Sequence, residues 1–213
     1  MKGYDPSFAA AKGTDAVVTT KPAGTRVRVS VAGGYVSGTL AEYVSAPDLA
    51  CVRVPCDLAD DQAAAIGVVG ISSLISLRDR VALGKGESVL VLGATGALGL
   101  ASLQVARHLG ADRVIAAGRN PERLAALGAR ADGTALLDAD DPAGSLRARL
   151  DEAGGPVNVV VDPLGGAYTP GAVQCLAPRG RFDLPVRAFP AARAGEAWAA
   201  QAQSPGAKVV VTF

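Results

Sequence analysis

Residues 89–99 read Val-Leu-Val-Leu-Gly-Ala-Thr-Gly-Ala-Leu-Gly, an apolar run followed by glycines at every third position. The apolar run has the composition of a buried β-strand, and the pattern after it changes to that of a helix. Gly93 suits a tight turn without a Cβ, Gly96 suits close approach of a ligand to the backbone, and Gly99 suits packing of the helix on the strand. The stretch therefore predicts a strand, a glycine turn and a helix.

A turn of this kind predicts a phosphate site. Free amides at the start of the helix, together with the positive end of its dipole, favour anionic groups. The spacing G-x-x-G-x-x-G differs from the more familiar G-x-G-x-x-G, so the prediction depends on the position of the glycines between a strand and a helix. We expect the pyrophosphate of a dinucleotide here. In the alternative interpretation the glycines serve packing alone.

The end of the next strand, at Gly118, Arg119 and Asn120, indicates which dinucleotide is favoured. An NAD site commonly has an acidic residue there, roughly 20 residues after the glycines. Here no carboxylate would repel a 2′-phosphate, and Arg119 can donate two hydrogen bonds to one. Asn120 can both cap the following helix and donate to the phosphate. The pattern favours NADP(H); in the alternative, Arg119 is a solvated loop residue.

The rest of the chain shows regular alternation from residue 88 onward. Strands are expected at residues 88–92, 113–117, 134–137, 157–161 and 181–184, which predicts βαβ units and a parallel sheet. Helices are expected at residues 96–109, from Asn120-Pro121 to Gly128, and from Asp141-Pro142 to Gly154. Before them we expect strands at residues 15–20, 25–32 and 40–45. Residues 57–77 have helical spacing, with Asp57 or Asp60 as the cap and an interruption at Gly67 and Gly70. After the βαβ units we expect a helix at 191–202 and a strand at 208–212.

Composition excludes several classes of partner. The 213 residues include 21 Lys and Arg against 20 Asp and Glu, and no block of like charge suggests nucleic acid or an anionic membrane. The uncharged run at residues 63–77 is shorter than the ~20 residues that span a bilayer, and glycines interrupt the run at 89–106. The first residues lack the apolar core of a signal peptide, so a cytoplasmic location is expected.

Potential metal ligands are few. The sequence contains three cysteines, Cys51, Cys56 and Cys175, and a single histidine, His108. A structural zinc site needs about four ligands, so no metal site is predicted. We expect the thiols to be buried and inert, and His108 to lie at a helix end, where it interacts with the last carbonyls.

Further segments complete an ordered set. They are residues 38–44 (GTLAEYV), 54–55 (VP), 63–65 (AAA), 70–73 (GISS), 83–99, 160–166 (VVDPLGG), 176–181 (LAPRGR), 195–198 (GEAW) and 208–210 (KVV). As a set they resemble the zinc-independent quinone oxidoreductase branch of the medium-chain dehydrogenase/reductase superfamily. The resemblance covers most of the chain from Thr25 onward.

The resemblance implies an α/β fold, with a doubly wound Rossmann sheet at residues 61–185. It also implies a reduced, β-rich GroES-like substrate domain at residues 1–60, to which residues 186–213 return. Ser72 would lie near the nicotinamide, and backbone around Asp162 would hold the carboxamide. In the alternative, Ser72 bonds its own helix backbone and Asp162-Pro163 is an ordinary turn. The expected cofactor-binding residues are Ser72, Gly93, Thr95, Gly96, Ala97, Leu98, Gly99, Gly118, Arg119, Asn120, Asp162, Leu164 and Gly165.

The chain also departs from the family pattern. The cysteine and histidine sets of the zinc-binding branch cannot be built from this sequence. The first part of the substrate domain is expected to be reduced to residues 1–24, and late sheet strands are expected to be missing between Leu184 and Phe189. The resulting sheet edge would be covered by the terminal strand or by a second copy of the chain, which makes a homodimer an expected partner arrangement.

Together these observations predict an NADPH-dependent reductase that transfers hydride to a quinone, an enone or a small carbonyl without zinc. The cofactor supplies the hydride, and the protein supplies orientation and a dry pocket. No side chain is assigned as the catalytic acid; Tyr43 has suitable chemistry, but no spacing places it near the nicotinamide. The alternatives are a non-catalytic NADP(H)-binding or sensor protein and a structural remnant without a ligand.

Overall fold

The computed structural model describes residues 15–19, 25–30, 46, 50–183, 186–193, 195–196, 199 and 208–212. Two compact units, Met1–Ile71 and Ser72–Phe213, divide the chain. The strand expected at residues 40–45, with Tyr43, lies outside the described residues. The domain boundary expected between residues 60 and 61 stays a prediction. None of the described helices is long and apolar enough to cross a membrane.

The first unit contains an antiparallel sheet of order β1-β2-β3. Its strands are β1 (Asp15–Thr19), β2 (Arg26–Ser30) and β3 (Cys51–Arg53). Val27 and Val29 of β2 are buried, as alternation along the strand requires. Helix α1 (Asp60–Leu74) begins beside this sheet, where the Arg26 side chain donates to Asp60 and to the carbonyl oxygen of Leu58. The strands predicted around residues 15–20 and 25–32 are confirmed within two residues at each end.

The second unit is built on a five-stranded parallel sheet of order β6-β5-β4-β7-β8. The strands are β4 (Ser88–Leu92), β5 (Arg113–Gly118), β6 (Gly133–Leu136), β7 (Val157–Val161) and β8 (Leu176–Asp183). The direction of strand addition reverses at β4: β5 and β6 are added on one side of it, and β7 and β8 on the other. The predicted doubly wound Rossmann sheet is confirmed.

Helices cover both faces of this sheet. On one face α2 (Ala97–His108) and α3 (Pro121–Ala125) pack with the Leu77 segment; on the other lie α4 (Pro142–Glu152) and α5 (Thr169–Gln174). All of β4 is buried, so its side chains alternate between the two cores. Val89 and Val91 join the first core, and Leu90 and Leu92 join the second. Burial on both faces is why residues 89–92 form a continuous apolar run.

The predicted starts of helices α3 and α4 are confirmed in detail. Asn120 Oδ1 accepts the amide of Arg123 at 2.8 Å, and Asp141 Oδ1 accepts the amide of Gly144 at 3.0 Å. In each helix a proline occupies the first turn, where its missing N–H costs nothing. Helix α2 ends with Arg107 and His108, so His108 lies at a helix end as expected.

Several predicted boundaries are wrong. Helix α1 begins at Asp60, the later of the two possible starts, and runs through Gly67 and Gly70 without the expected interruption. It ends at Leu74, and a π-helical segment, Ile75–Arg80, follows it. Helix α3 ends at Ala125, and Gly128 opens a separate 3₁₀ turn. Residues 191–193 also form a 3₁₀ turn, and of the rest of the helix expected at 191–202 only Gly195, Glu196 and Ala199 are described, all helical.

Other corrections concern segments that were missed. Strand β8 begins at Leu176, five residues before the predicted start at 181, because Pro178 and Gly180 make its first half resemble a turn. Arg179 has a φ of 65°, which matches the register shift of β8 against β7. Helix α5 was not predicted. Neither was β9 (Val186–Pro190), which pairs in parallel with the predicted terminal strand β10 (Lys208–Thr212).

The expectation of three buried thiols is also wrong. Cys175 is buried, whereas Cys51 is half-buried and Cys56 is exposed. Burial raises the pKa of the Cys175 thiol, and the opposing effect of the Arg147 charge is smaller. Cys175 therefore packs as a small apolar side chain in the second core.

A partly buried ion pair joins the start of β4 to the second half of β8. Glu87 Oε2 accepts the amide of Gly84 at 2.7 Å and pairs with the guanidinium of Arg181. Burial of Glu87 opposes its ionisation, but the hydrogen bonds from Arg181 and Gly84 and the Arg181 charge outweigh it, so the Glu87 pKa is lowered. A lowered carboxyl pKa stabilises the fold above the pKa of the unfolded chain, and this contribution is lost as the pH falls through the folded-state value.

We therefore expect Glu87→Gln to lower the melting temperature at pH 7, with a deficit that shrinks as the pH falls below about 4. Thermal unfolding of both proteins across this pH range is the measurement. The exposed carboxylate variant Asp140→Asn serves as control and should differ little from the parent protein at any pH. A Glu87→Gln deficit that stayed constant from pH 7 to about pH 3 would contradict the ion-pair contribution.

Candidate functional site

The glycine turn follows the carboxyl end of β4. Gly93 has a φ of +63°, a conformation that side chains rarely adopt, and Gly96 is the N-cap of α2. The Ala94 amide donates to the carbonyl oxygen of Ala117 at 2.9 Å, and the Gly96 amide donates to that of Gly93 at 3.0 Å. The turn is thereby anchored both to itself and to the neighbouring strand β5.

Gly96 and Gly99 differ in what their missing side chains permit. A Cβ at Gly99 would lie 2.3 Å from the Gly93 carbonyl oxygen and 2.6 Å from the Ala94 Cα, so the fold itself excludes any side chain there. A Cβ at Gly96 would meet the Gly93 oxygen at an ordinary 3.4 Å, and Gly96 is exposed. The fold therefore does not require a glycine at position 96, whereas close approach of a ligand would.

The start of α2 offers donors to such a ligand. The first amides of a helix, here those of Ala97, Leu98 and Gly99, have no intrahelical acceptor. Gly96 has no side chain with which to cap them. These amides and the helix dipole fit the pyrophosphate of a dinucleotide, which is the chemistry predicted for this turn.

A buried pair of serines, which was not predicted from the sequence, binds a backbone carbonyl in the first turn of α2. Ser73 Oγ lies 3.1 Å from Ser102 Oγ and donates to the Leu98 carbonyl oxygen at 3.3 Å, and Ser102 Oγ donates to the same carbonyl at 2.9 Å. Both hydroxyls are buried. The predicted cofactor neighbour Ser72 precedes this pair and is half-buried. Ser73 could have been identified from the sequence only as a polar residue on the apolar face of a predicted helix.

The end of β5 lies beside the glycine turn. A Cβ at Gly118 would be 3.6 Å from Thr95 Cγ2 and 3.3 Å from Leu124 Cδ2. Arg119 and Asn120 follow and are exposed. Because Asn120 Oδ1 caps α3, its Nδ2 group is the part of the side chain that can donate to a ligand. The structure thus brings the predicted phosphate turn and the predicted 2′-phosphate residues together.

The third part of the site follows β7. Asp162 is buried, with 1% exposure, and its Oδ1 accepts the amides of Leu164 at 3.0 Å and Gly165 at 2.8 Å. Its Oδ2 accepts the hydroxyl of Thr169 at 2.7 Å. Sequence reasoning assigned this segment to the cofactor carboxamide through its backbone. The carboxylate itself binds the protein's own turn, which agrees with the alternative interpretation of Asp162-Pro163 as an ordinary turn.

Leu164 connects this turn to the glycine turn. Its Cδ2 lies 2.9 Å from the point that a Cβ of Gly93 would occupy, and the side chain remains 47% exposed. Since β4 and β7 are neighbours on either side of the reversal in strand order, this is the crevice in which open α/β sheets bind ligands. Apart from Ser72, all the predicted cofactor-binding residues lie at or after the carboxyl ends of β4, β5 and β7.

Within the described part of the chain, no group of three or more His, Cys, Asp or Glu side chains could hold a metal ion. A second carboxylate, Asp183, is buried at the end of β8 and pairs with Arg80 at 3.1 Å. Its backbone oxygen accepts the Asp162 amide at 3.1 Å, so the ends of β7 and β8 are joined.

Comparison with known proteins agrees with this geometry. Residues 97–184 match the family described as zinc-binding dehydrogenase. The quinone oxidoreductase from Thermus thermophilus, solved also in complex with NADPH, is 30% identical with a TM-score of 0.65, over 94% of this chain and 60% of that one.

Two relatives match most of this chain in sequence. The polyketide synthase GfsB of Streptomyces halstedii is 35% identical over 187 residues, which are 84% of this chain and 3% of that protein. The quinone oxidoreductase-like protein 2 homolog of Nematostella vectensis is 30% identical over 149 residues, which are 70% of this chain and 40% of that protein. The chain thus spans a small part of the first relative and less than half of the second.

The fold and the crevice are those of a dinucleotide-binding domain of Rossmann type. The chain contains a domain that matches the zinc-binding dehydrogenase family, and solved quinone oxidoreductases are among its structural neighbours.

Two glycine variants separate ligand binding from folding. We expect Gly96→Ala to change the free energy of unfolding by less than about 1 kcal/mol but to lower dinucleotide affinity by about tenfold or more, because its methyl group occupies the approach of the pyrophosphate. Gly99→Ala should instead cost roughly 1–3 kcal/mol of stability. Chemical denaturation and fluorescence titration with NADPH measure the two effects. Equal loss of stability in both variants would contradict the assignment of Gly96 to ligand approach.

Proposed function

We propose that the chain binds NADP(H) and transfers hydride between its nicotinamide and a quinone, an enone or another small carbonyl compound, without zinc. The observation that carries the proposal is the arrangement at the crevice. An exposed glycine that the fold does not need, helix-start amides without intrahelical acceptors and an apolar side chain converge where β4 and β7 separate. The names of the similar quinone oxidoreductases support the choice of acceptor.

The preference for NADP(H) rests on the end of β5. Arg119 is exposed and lies directly after Gly118, next to the glycine turn, so its guanidinium can reach a 2′-phosphate on the adenosine ribose. A guanidinium donates two parallel hydrogen bonds to a phosphate, and no carboxylate stands at residues 118–120 to repel one. Asn120 Nδ2 adds a second donor, while its Oδ1 stays on the helix cap.

The division of chemical work follows from the site. The bound dinucleotide supplies the hydride, and the residues of the chain bind and orient it. The first amides of α2 and Arg119 would hold its phosphates. Leu164 would exclude water from the nicotinamide end, where its apolar side chain is nearly half exposed. Placing the two reactants in one orientation contributes to rate without a charged catalytic group.

The zinc-free part of the proposal is supported by donor chemistry. The sequence has one histidine, and His108 lies at the far end of α2 from the glycine turn. Cys175 is buried in the second core, on the side of the sheet opposite α2. Metal analysis of the purified protein tests this point; one equivalent of zinc that is retained on dialysis and needed for turnover would refute it.

The reaction is tested by titration and by turnover. NADPH and NADH are titrated by fluorescence, and the oxidation of NADPH is followed by its absorbance with quinones, enones, aldehydes and a 2-enoyl thioester. The thioester is included because one relative is a polyketide synthase. We expect micromolar NADPH binding and oxidation with at least one of the conjugated acceptors. Binding without oxidation would favour a non-catalytic NADP(H)-binding protein, and no binding of either dinucleotide would refute both proposals.

We expect Arg119→Ala to raise the dissociation constant for NADPH by roughly 10- to 100-fold while changing that for NADH by less than about threefold, because only NADPH carries the 2′-phosphate. Arg130→Ala, which removes an exposed arginine from the 3₁₀ turn after α3, is the matched control and should leave both constants unchanged. Equal weakening of NADPH and NADH by Arg119→Ala would show that Arg119 does not recognise the 2′-phosphate.

A further inference from the structure

Asp162 combines deep burial with a complete set of local hydrogen bonds. It is 1% exposed, and its carboxylate accepts the Leu164 amide, the Gly165 amide and the Thr169 hydroxyl. Burying a carboxylate is costly unless its oxygens are satisfied, and hydrogen bonds to a charged group are stronger than neutral ones. All three donors lie within seven residues of Asp162, so the carboxylate organises this one turn.

The conformation of the turn depends on these bonds. Gly165 and Gly166 have φ values of 62° and 71°, so the chain reverses sharply within two residues. Thr169 is the first residue of α5, which means that the same carboxylate also fixes where α5 begins. Both amides are directed at Asp162, and the side chain of Leu164 lies against Gly93.

The contact between Leu164 and Gly93 is close. The Leu164 Cδ2 atom lies 2.9 Å from where a Cβ at Gly93 would be, so the leucine uses space that only a glycine leaves open. Since 47% of Leu164 remains exposed, it also forms an apolar surface toward the crevice. A flat aromatic ring packs well on such a surface.

We propose that Asp162 is a positioning residue: its carboxylate holds Leu164 on Gly93, and Leu164 then supports the nicotinamide ring of the bound dinucleotide. The inference rests on the proposed NADP(H) binding and deepens it. It assigns to the Asp162 side chain a role at the nicotinamide end that is separate from the phosphate contacts at Gly93–Gly99 and Arg119. Asp162 itself does not touch the ligand, because its oxygens are occupied by the turn.

The test compares two ligands that differ only at the nicotinamide end. NADPH carries the ring, and 2′-phospho-ADP-ribose lacks it. The dissociation constant of 2′-phospho-ADP-ribose divided by that of NADPH therefore measures what the ring contributes to affinity, and we call this quotient the ligand ratio. We expect Asp162→Ala to reduce this ratio by about tenfold, while the affinity for 2′-phospho-ADP-ribose changes by less than about threefold. Leu164→Ala should reduce the ratio in the same way, because it removes the supporting surface directly.

A second readout needs no ligand. Hydrogen exchange of the Leu164 and Gly165 amides in the unliganded protein should accelerate in Asp162→Ala and remain slow in Asp162→Asn, whose amide oxygen can still accept both bonds. The ligand ratio of Asp162→Asn should accordingly stay within about threefold of the parent value. Thr169→Val, which removes a single hydrogen bond, gives an intermediate case if Asp162→Ala does not fold.

Asp132→Asn is the matched control. Its carboxylate also accepts a backbone amide, that of Val114 at 2.6 Å, but it lies at the opposite edge of the sheet, where β5 and β6 begin. It should lower stability without changing the ligand ratio.

The outcomes are distinguishable. If the parent protein binds both ligands and the ratio is unchanged in Asp162→Ala and Leu164→Ala, the positioning role is overturned while the proposed function stands. If the ratio falls equally in Asp132→Asn, the effect reflects general destabilisation and the role is again overturned. If the parent protein binds neither ligand, the proposed function fails and the positioning role fails with it.

Discussion

Helix α2 approaches the end of β4 so closely that no side chain fits between them. The space at Gly99 is filled by the Gly93 carbonyl oxygen and the Ala94 backbone, at 2.3 and 2.6 Å from where a Cβ would lie. This contact sets the direction of α2, and therefore where its first amides point. At Gly93 the chain has a left-handed conformation, and the absence of a side chain there leaves the surface on which Leu164 rests. The phosphate end and the nicotinamide end of the proposed site thus share one backbone constraint.

Buried and partly buried carboxylates have different partners at the amino ends and at the carboxyl ends of the parallel strands. At the amino ends of the strands, Glu87 and Asp132 pair with Arg181 and Arg107, and these pairs tie together segments distant in sequence. At the carboxyl ends, Asp162 is held by neutral donors of its own turn, and Asp183 is paired by Arg80. Burying a charge requires that every lone pair be met, so these carboxylates restrict backbone positions more strongly than apolar residues would. The proposed ligand would therefore meet a crevice whose walls are already ordered.

Local signals predicted much of the second unit. The strands at residues 88–92 and 157–161 were predicted at their observed bounds, because each is mostly buried on both faces and so is rich in valine and leucine. The caps Asn120 and Asp141 were predicted because capping depends on a few consecutive residues. Helix α5 and the first half of β8 were missed for the opposite reason. Six residues are too few to show a helical period, and Pro178 and Gly180 are compatible with a strand only at a sheet edge.

The doubly wound sheet, the order of strands β4 to β8 along the chain and the glycine turn could be predicted from the sequence alone, because periodicity, caps and glycine spacing are properties of neighbouring residues. The sequence also placed Arg119 at the end of the second strand, since that position follows from counting along one βαβ unit. Only the tertiary structure decided that Leu164 rests on Gly93, that Ser73 and Ser102 support α2, and that the Asp162 carboxylate binds its own turn. The first two contacts join residues 71 and 29 positions apart, which the sheet and the helix packing bring together. The third is local, yet it depends on a backbone reversal at Gly165 and Gly166 that residue types permit without requiring.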